Sequence, residues 1–292
     1  MNGRHAYCII AHNRPDLLNN LVEMIDDYRN DIFVHIDKKS NISEFATINT
    51  SKSRLIFLKD RVNVNWGSFS QIESELALFS KAVQTNEYQY VHLLSGIDVP
   101  IKSQDEIHDF FDKNYPKEFI GYQHNAFSQR LLSRRADLYH FFTRYGRSGI
   151  GKIMQQARRA LCVLQRVFHV KRKHSFTMKI GPNWVSLTGD CVSYIVSKKK
   201  DIAKDFRYMT CADEIYKHSV IWDSPYKDNV YDINGYCYHG CMRLIDWTRG
   251  NPYVFQLSDY NQIIASDRLF CRKVTDIALA RKIAEHNATN HS

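Results

Sequence analysis

Apolar and polar positions alternate in two rhythms through the first 122 residues of this chain. AYCIIAH (6–12) is an unbroken apolar run, the pattern of a strand covered on both faces. In DLLNNLVEMI, Leu17, Leu18, Leu21, Val22 and Ile25 recur at helical spacing, with Asn13 expected as the cap and Pro15 near the first helical position. DIFVHID (31–37) predicts a second strand ending on Asp37, and LIFLKD and VNVNW read as short extended pieces. GSFSQIESELALFSKAV predicts a helix with Ile72, Leu76, Leu78, Phe79 and Val83 inward. YQYVHLLSG follows as a buried strand, SQDEIHDFFDK as a capped helix and KEFIGY as a further strand. Strand–helix alternation of this kind predicts an α/β fold with a mostly parallel, doubly wound sheet, which binds ligands at the carboxyl ends of its strands. No Gly-x-Gly-x-x-Gly follows the first strand, so a dinucleotide-type phosphate loop is not expected.

The pattern then changes. Residues 150–173 place Ile150, Ile153, Met154, Ala157, Leu161, Leu164 and Phe168 along one helical stripe. Lys152, Arg158, Arg159 and Arg166 lie off that stripe, and Lys171, Arg172 and Lys173 close the segment. Two readings stand: a solvated basic helix whose stripe packs on the domain, or a surface helix that meets anionic lipid headgroups. Nucleic acid is not expected as a partner, because aromatic interleaving is confined to LYHFFTRY and no reader motif is present. Downstream, WVSLTGDCVSYIVSKK restores a strand–turn–helix pattern and a helix opens at Asp213–Glu214. A strand around YDINGYCYHG, the segment MRLIDW and helices in DYNQIIAS and IALARKIAEH complete the chain.

We therefore expect one domain over 1–284: a nucleotide half (about 1–125), a basic helical insert (about 129–174) and an acceptor and catalytic half (about 175–284), with 285–292 a disordered tail. Charge supports the middle boundary. Residues 129–174 hold twelve Lys/Arg and one acidic residue, a balance of +11 against a net +9 for all 292 residues. No apolar run approaches the ~20 residues that span a bilayer, and the seven cysteines include no Cys-x-x-Cys pair. A reduced, cytoplasmic protein is expected, peripheral on an inner membrane if the basic helix meets lipid.

Candidate chemistry centres on TCADEIYKHSVI, where Asp213 and Glu214 stand side by side at a helix start. Such a carboxylate is either a cap or a catalytic base. Trp247 and Arg249 in MRLIDWTRGNPY and Lys273 in LFCRKV follow downstream. Taken in order, AYCIIAHNRPDLLNNLV, IFVHIDKKS, VNWGSFSQIESELALF, YVHLLSGIDVPIKS, CADEIYKHSVI, MRLIDWTRGNPY and LFCRKV resemble the core-2/I-branching β-1,6-N-acetylglucosaminyltransferases, a family that includes peptide O-xylosyltransferases.

The resemblance implies a GT-A-type fold, Rossmann-like, and inverting transfer from a UDP-sugar to a glycan or lipid-linked oligosaccharide, with no cofactor. It makes Glu214 the base, with Asp213 the capping member of the pair. It assigns Lys273 and Arg249 to the donor diphosphate, with Arg272 and Arg243 as substitutes, and Asp37, His12 and Trp66 to the nucleotide side. It assigns Trp247 and Asp98 to the acceptor side. No metal is expected, since no two aspartates in the chain stand two residues apart. A bacterial enzyme of surface-glycan synthesis adding β-linked GlcNAc is the leading expectation. Xylosyl, glucosyl or glucuronosyl transfer is the rival within the class, and a non-catalytic nucleotide- or glycan-binding module the rival outside it.

Overall fold

The computed structural model describes residues 3–146 and 149–289. In chain order the elements are β1 (His5–Ala11), α1 (Pro15–Met24), β2 (Asn30–Ile36), β3 (Arg54–Phe57), α2 (Ser70–Thr85), β4 (Tyr90–Ser95), β5 (Val99–Pro100), α3 (Gln104–Asn114), α4 (Ala126–Ala136) and α5 (Ile150–Val167). They continue as β6 (Ser186–Thr188), α6 (Gly189–Ser197), α7 (Lys199–Phe206), a 3₁₀ turn (Ala212–Glu214), α8 (Tyr216–Trp222), α9 (Cys237–Gly240), β7 (Arg243–Ile245), α10 (Tyr260–Ile264), β8 (Phe270–Arg272) and α11 (Ile277–Thr289).

The main sheet runs β3-β2-β1-β4-β6, parallel except for β6, which pairs antiparallel with β4. This is the mostly parallel α/β sheet that the alternation predicts. Because β1 is central, the chain fills one side with β2 and β3 before crossing to β4, and the crevice between β1 and β4 is the switch point of the sheet. Successive β1 side chains enter different cores. Ala6 and Cys8 pack with α2, α6 and α8 residues such as Ile72, Phe79, Val192 and Val220. Tyr7, Ile9 and Ala11 pack with Leu18, Leu21, Ile107 and Phe111 of α1 and α3. Covering on both faces is the physical reason that β1 reads as an unbroken apolar run. A second sheet, β5-β8-β7, is backed by α1, α10 and α11 through Leu17, Val99, Ile263, Cys271, Leu279 and Ile283.

Several local expectations change. Arg14, in the left-handed region, rather than Asn13, precedes α1, and no side chain caps it; Pro15 is at its first position as expected. VNVNW forms no strand, and KEFIGY makes only isolated bridges, Glu118 with Val230 and Phe119 with Ser186. YDINGYCYHG is a turn followed by α9, because its closely spaced polar and small residues offer no alternating face to a sheet. Helix α11 extends through 289, so residues 285–289 are helical rather than a loose tail; Asn287 anchors them by donating to the carbonyls of Pro100 and Lys102, both at 3.1 Å. Residues 290–292 lie outside the described residues. The largest change is in α5, where Ile150, Ile153, Leu164 and Phe168 of the expected packing stripe are exposed and only Gly151 and Cys162 are buried.

Candidate active site

The carboxyl ends of β1, β2 and β4 converge at the switch point. His12 is exposed just beyond β1, and its carbonyl accepts a hydrogen bond from the Ser40 hydroxyl. Asp37 follows β2, buried; its backbone N–H donates to Ala11 O at 2.9 Å, and its carboxylate accepts from Lys39 N at 2.9 Å and pairs with the Lys39 ammonium at 3.1 Å. The two candidate nucleotide contacts are thus locked side by side.

Beyond β4, Asp98 is almost fully buried. Its carboxylate accepts from Ser95 N at 2.8 Å, from the Ser95 hydroxyl at 2.9 Å and from Arg272 at 2.6 Å. Asp98 thus anchors Arg272 at the end of β8. The Arg272 guanidinium lies 4.1 Å over the Trp184 ring, a flat pairing that fixes its fork at the end of β8. Lys273 follows, half-buried, at the same strand end; burial and the neighbouring Arg272 charge draw its ammonium below its ordinary value, and Asp98 opposes them.

Arg249 and Arg243 are placed differently from expectation. Arg249 donates to Asp246 at 2.5 Å, to Asp259 at 2.8 Å and to Gln262 at 3.1 Å, and it stacks 4.0 Å over Tyr253. Two carboxylates already neutralise it. These contacts pin the loop after β7, while Arg272 stands beside Lys273 at the end of β8. Arg243 is fully buried and donates to the Cys241 and Val185 carbonyls at 2.7 and 2.9 Å and to the Ser186 hydroxyl at 3.1 Å, which makes it a strut between sheets.

The Asp213–Glu214 pair occupies the 3₁₀ turn before α8. The turn forms because Cys211 takes a left-handed backbone (φ 48°) and its N–H donates to Gly67 O at 3.0 Å. Asp213 caps neither the turn nor α8. It is buried instead, accepting from Gln71 Nε2 at 3.0 Å through one oxygen, while its other oxygen has no partner. Burial pushes its carboxyl up to about 7, the Glu214 and Glu75 charges add to the rise, and Lys217 and Arg135 oppose it. Beneath it lies an ion pair shut away from water: Lys217 Nζ is 2.5 Å from Glu75 Oε2, with the two side chains 0% and 1% exposed. Lys217 also donates to Asn183 at 2.6 Å and to the Asp213 carbonyl at 3.2 Å, so the turn is tied from below.

Glu214 points the other way. Its side chain is 37% exposed, and one carboxylate oxygen accepts from Arg135 of α4 at 2.5 Å. The arginine on one oxygen orients the carboxylate and leaves its second oxygen open to accept a proton. Arg135 is a site residue that the sequence hid, because it sits 79 positions away in a segment crowded with other cations. Trp184 and Gln71 escaped for the same reason: their roles exist only through distant partners.

Aromatic rings complete the site. Trp247, exposed at the end of β7, stacks on Tyr238 with centroids 6.3 Å apart and planes 28° off parallel. The Tyr238 hydroxyl is raised by burial first, then by Cys237, Cys241 and Tyr236, with Glu214 close enough to contribute. Trp66 is exposed on the loop before α2 and shares a small cleft with Thr210, Gln155 and Arg158. Gly67 beside it has φ 74°, and a Cβ there would stand 3.3 Å from the Thr210 hydroxyl. Among the described residues no group of three His, Cys, Asp or Glu side chains is placed to hold a metal ion, and no helix is long and apolar enough to cross a membrane.

Known proteins are similar to this chain at low identity, over between a third and nearly all of its length. Rat xylosyltransferase 2 is 22% identical over 301 residues, covering 92% of this chain and 32% of that protein. The Drosophila melanogaster xylosyltransferase oxt is 20% identical over 262 residues, covering 82% and 28%. A bovine β-1,3-galactosyl-O-glycosyl-glycoprotein β-1,6-N-acetylglucosaminyltransferase is 29% identical over 106 residues, covering 35% and 25%. The chain thus spans about a third or less of the length of these relatives. The solved structure of mouse xyloside xylosyltransferase 1 in its apo form aligns with 92% of this chain and 96% of that one at 12% identity, with a TM-score of 0.37. The profile of the Core-2/I-Branching enzymes matches residues 5–263. The chain belongs to the Core-2/I-branching enzyme family.

Proposed function

We propose that this chain is an inverting glycosyltransferase that moves a sugar from a UDP-sugar to a glycan hydroxyl, with Glu214 as the base. The observation that carries the reading is the Glu214 carboxylate, oriented by Arg135 on one oxygen, half-open, and set in the same site as stacked Trp247 and Tyr238. The acceptor oxygen attacks the anomeric carbon and gives its proton to Glu214. The bond from that carbon to the β-phosphate oxygen breaks on the opposite face, and UDP leaves with the electron pair. Lys273 and Arg272 are the cations at the strand ends for the departing charge, a task that metal-dependent enzymes give to a divalent ion. Asp37 and the His12 backbone suit the uridine, and Trp247 suits the apolar face of a sugar ring.

The donor we propose is UDP-GlcNAc, for β-linked transfer in surface-glycan synthesis, in keeping with the 29% match to the bovine enzyme. UDP-xylose is the second reading, favoured because the matches covering most of the chain bear xylosyltransferase names. A panel of UDP-sugars scored for donor hydrolysis separates the two. Glu214→Gln should lower kcat by roughly 10²–10⁴-fold and leave UDP affinity within about twofold. Wild-type turnover in that variant refutes the base assignment, whereas UDP binding without turnover of any UDP-sugar by the wild-type chain favours a non-catalytic binding module.

A further inference from the structure

Helix α5 rests on the protein mainly through small and polar side chains, with Met154 and Leu161 half-buried beside them. Gly151, Gln155, Arg158, Cys162 and Gln165 form one seam at helical spacing. A Cβ on Gly151 would stand 2.4 Å from the Tyr145 carbonyl, so the backbones approach closely there. Cys162 Sγ lies 3.7 Å from His140 Nδ1, and the Gln165 amide both donates to and accepts from the Tyr139 backbone, at 2.9 and 2.8 Å. Much of the apolar side is turned to water: Ile150, Ile153, Leu164, Val167 and Phe168 are 51–73% exposed. In an ordinary surface helix the apolar stripe faces the core and the polar residues face solvent. Here the stripe is turned partly aside, with its Ile150, Ile153, Leu164 and Phe168 in solvent and only Met154, Ala157 and Leu161 half-buried.

The charge beside the stripe has one sign. Lys152, Arg159 and Arg166 are exposed on the helix and Lys171 and Lys173 just beyond it. Asp137, the single acidic residue of the segment 129–174, is occupied by the Ser133 hydroxyl at 2.5 Å. A second copy of the chain is a poor cover for this face, because a two-fold contact would bring two strongly basic inserts together. We infer that α5 and the residues following it are a docking surface for an anionic lipid bilayer. The helix lies in the interface plane, its stripe at the acyl boundary and its basic side chains among the headgroups. Docking does not depend on the transfer reaction proposed above. Its position does suit a lipid-linked acceptor, a point that rests on that reading: Arg158 and Gln155 border the cleft that holds Trp66, and α4 of the same insert carries Arg135 to Glu214.

The test is co-sedimentation of the full chain with phosphatidylcholine vesicles and with vesicles containing phosphatidylglycerol. Binding is expected to the anionic vesicles and should weaken as salt is raised. The triple variant I153S/L164S/F168S should lose at least about tenfold in vesicle partition while keeping wild-type melting and UDP-sugar hydrolysis in solution. Lost docking and lost chemistry are thereby read apart. In F168W, vesicles of brominated anionic lipid should quench fluorescence beyond the quenching of the wild type, which serves if the triple variant folds poorly. Equal partition into neutral and anionic vesicles overturns the proposal, and so does the absence of extra quenching. A wild-type dimer that the triple variant dissolves, with no vesicle binding, overturns it in favour of a second copy.

Discussion

Removing one charge of the buried pair beneath the 3₁₀ turn should unfold this protein more readily than any surface change. Lys217 and Glu75 are 0% and 1% exposed and 2.5 Å apart. In Lys217→Met the Glu75 carboxylate keeps only neutral donors, the Tyr216 hydroxyl at 2.7 Å and Asn183 at 2.8 Å. The Asp213 carbonyl loses its 3.2 Å donor as well. Breaking such a pair from one side costs about 3–5 kcal/mol, and at ~2–4 °C per kcal/mol for a chain of this size the melting point should fall by roughly 6–20 °C. Neutralising both ends should cost less, because no charge is then stranded, so Glu75→Gln/Lys217→Met should recover at least about half of the loss. Urea titrations of wild type, both single variants and the double variant measure this cycle. A Lys217→Met protein within about 1 kcal/mol of wild type, or a double variant no more stable than that single one, refutes the argument.

Two further outcomes follow from charge. Asp213 is raised to about 7 in the folded chain, from an ordinary 3.8, chiefly by burial. The folded state therefore binds its proton more tightly than the unfolded state does. Stability from this group is fully present below about pH 4 and lost as pH rises through about 7, at no more than ~1.4 kcal/mol for each pH unit crossed. Asp213→Asn should flatten that decline, read as urea midpoints at pH 5 and pH 8, and equal slopes in the two proteins refute the assignment. Lys273→Ala should weaken UDP binding by about 10–150-fold, the worth of one charge-assisted contact of ~1.5–3 kcal/mol; calorimetric UDP affinity within about twofold of wild type removes Lys273 from the donor site.

Much of the α/β frame was legible because burial leaves a periodic trace. β1 and β4 read as apolar runs because both faces are covered, and α1 and α2 show their inner residues at helical spacing. Asp37 and the Asp213–Glu214 pair were visible as carboxylates at element ends. Legibility failed wherever the deciding interaction was remote. Arg249 looked like a free cation until Asp246 and Asp259 were seen to hold it. The pairing of Asp98 with Arg272, 174 positions away, left no trace in either segment.

The amino-acid sequence by itself determined the strand–helix alternation of the first half, the basic character of one segment and the family to which the chain belongs. The first two depend on local periodicity and composition, and the family on the ordered set of motifs from residue 6 to about 275. Tertiary structure alone decided which member of the carboxylate pair opens to the site. Asp213 turns in to Gln71, 142 positions away, and Glu214 turns out to Arg135, 79 away. It also decided which face of α5 meets water. An amphipathic pattern states that a helix has two faces, but the packing surface beneath, here a seam built on Gly151, Cys162 and Gln165, selects the one to be covered.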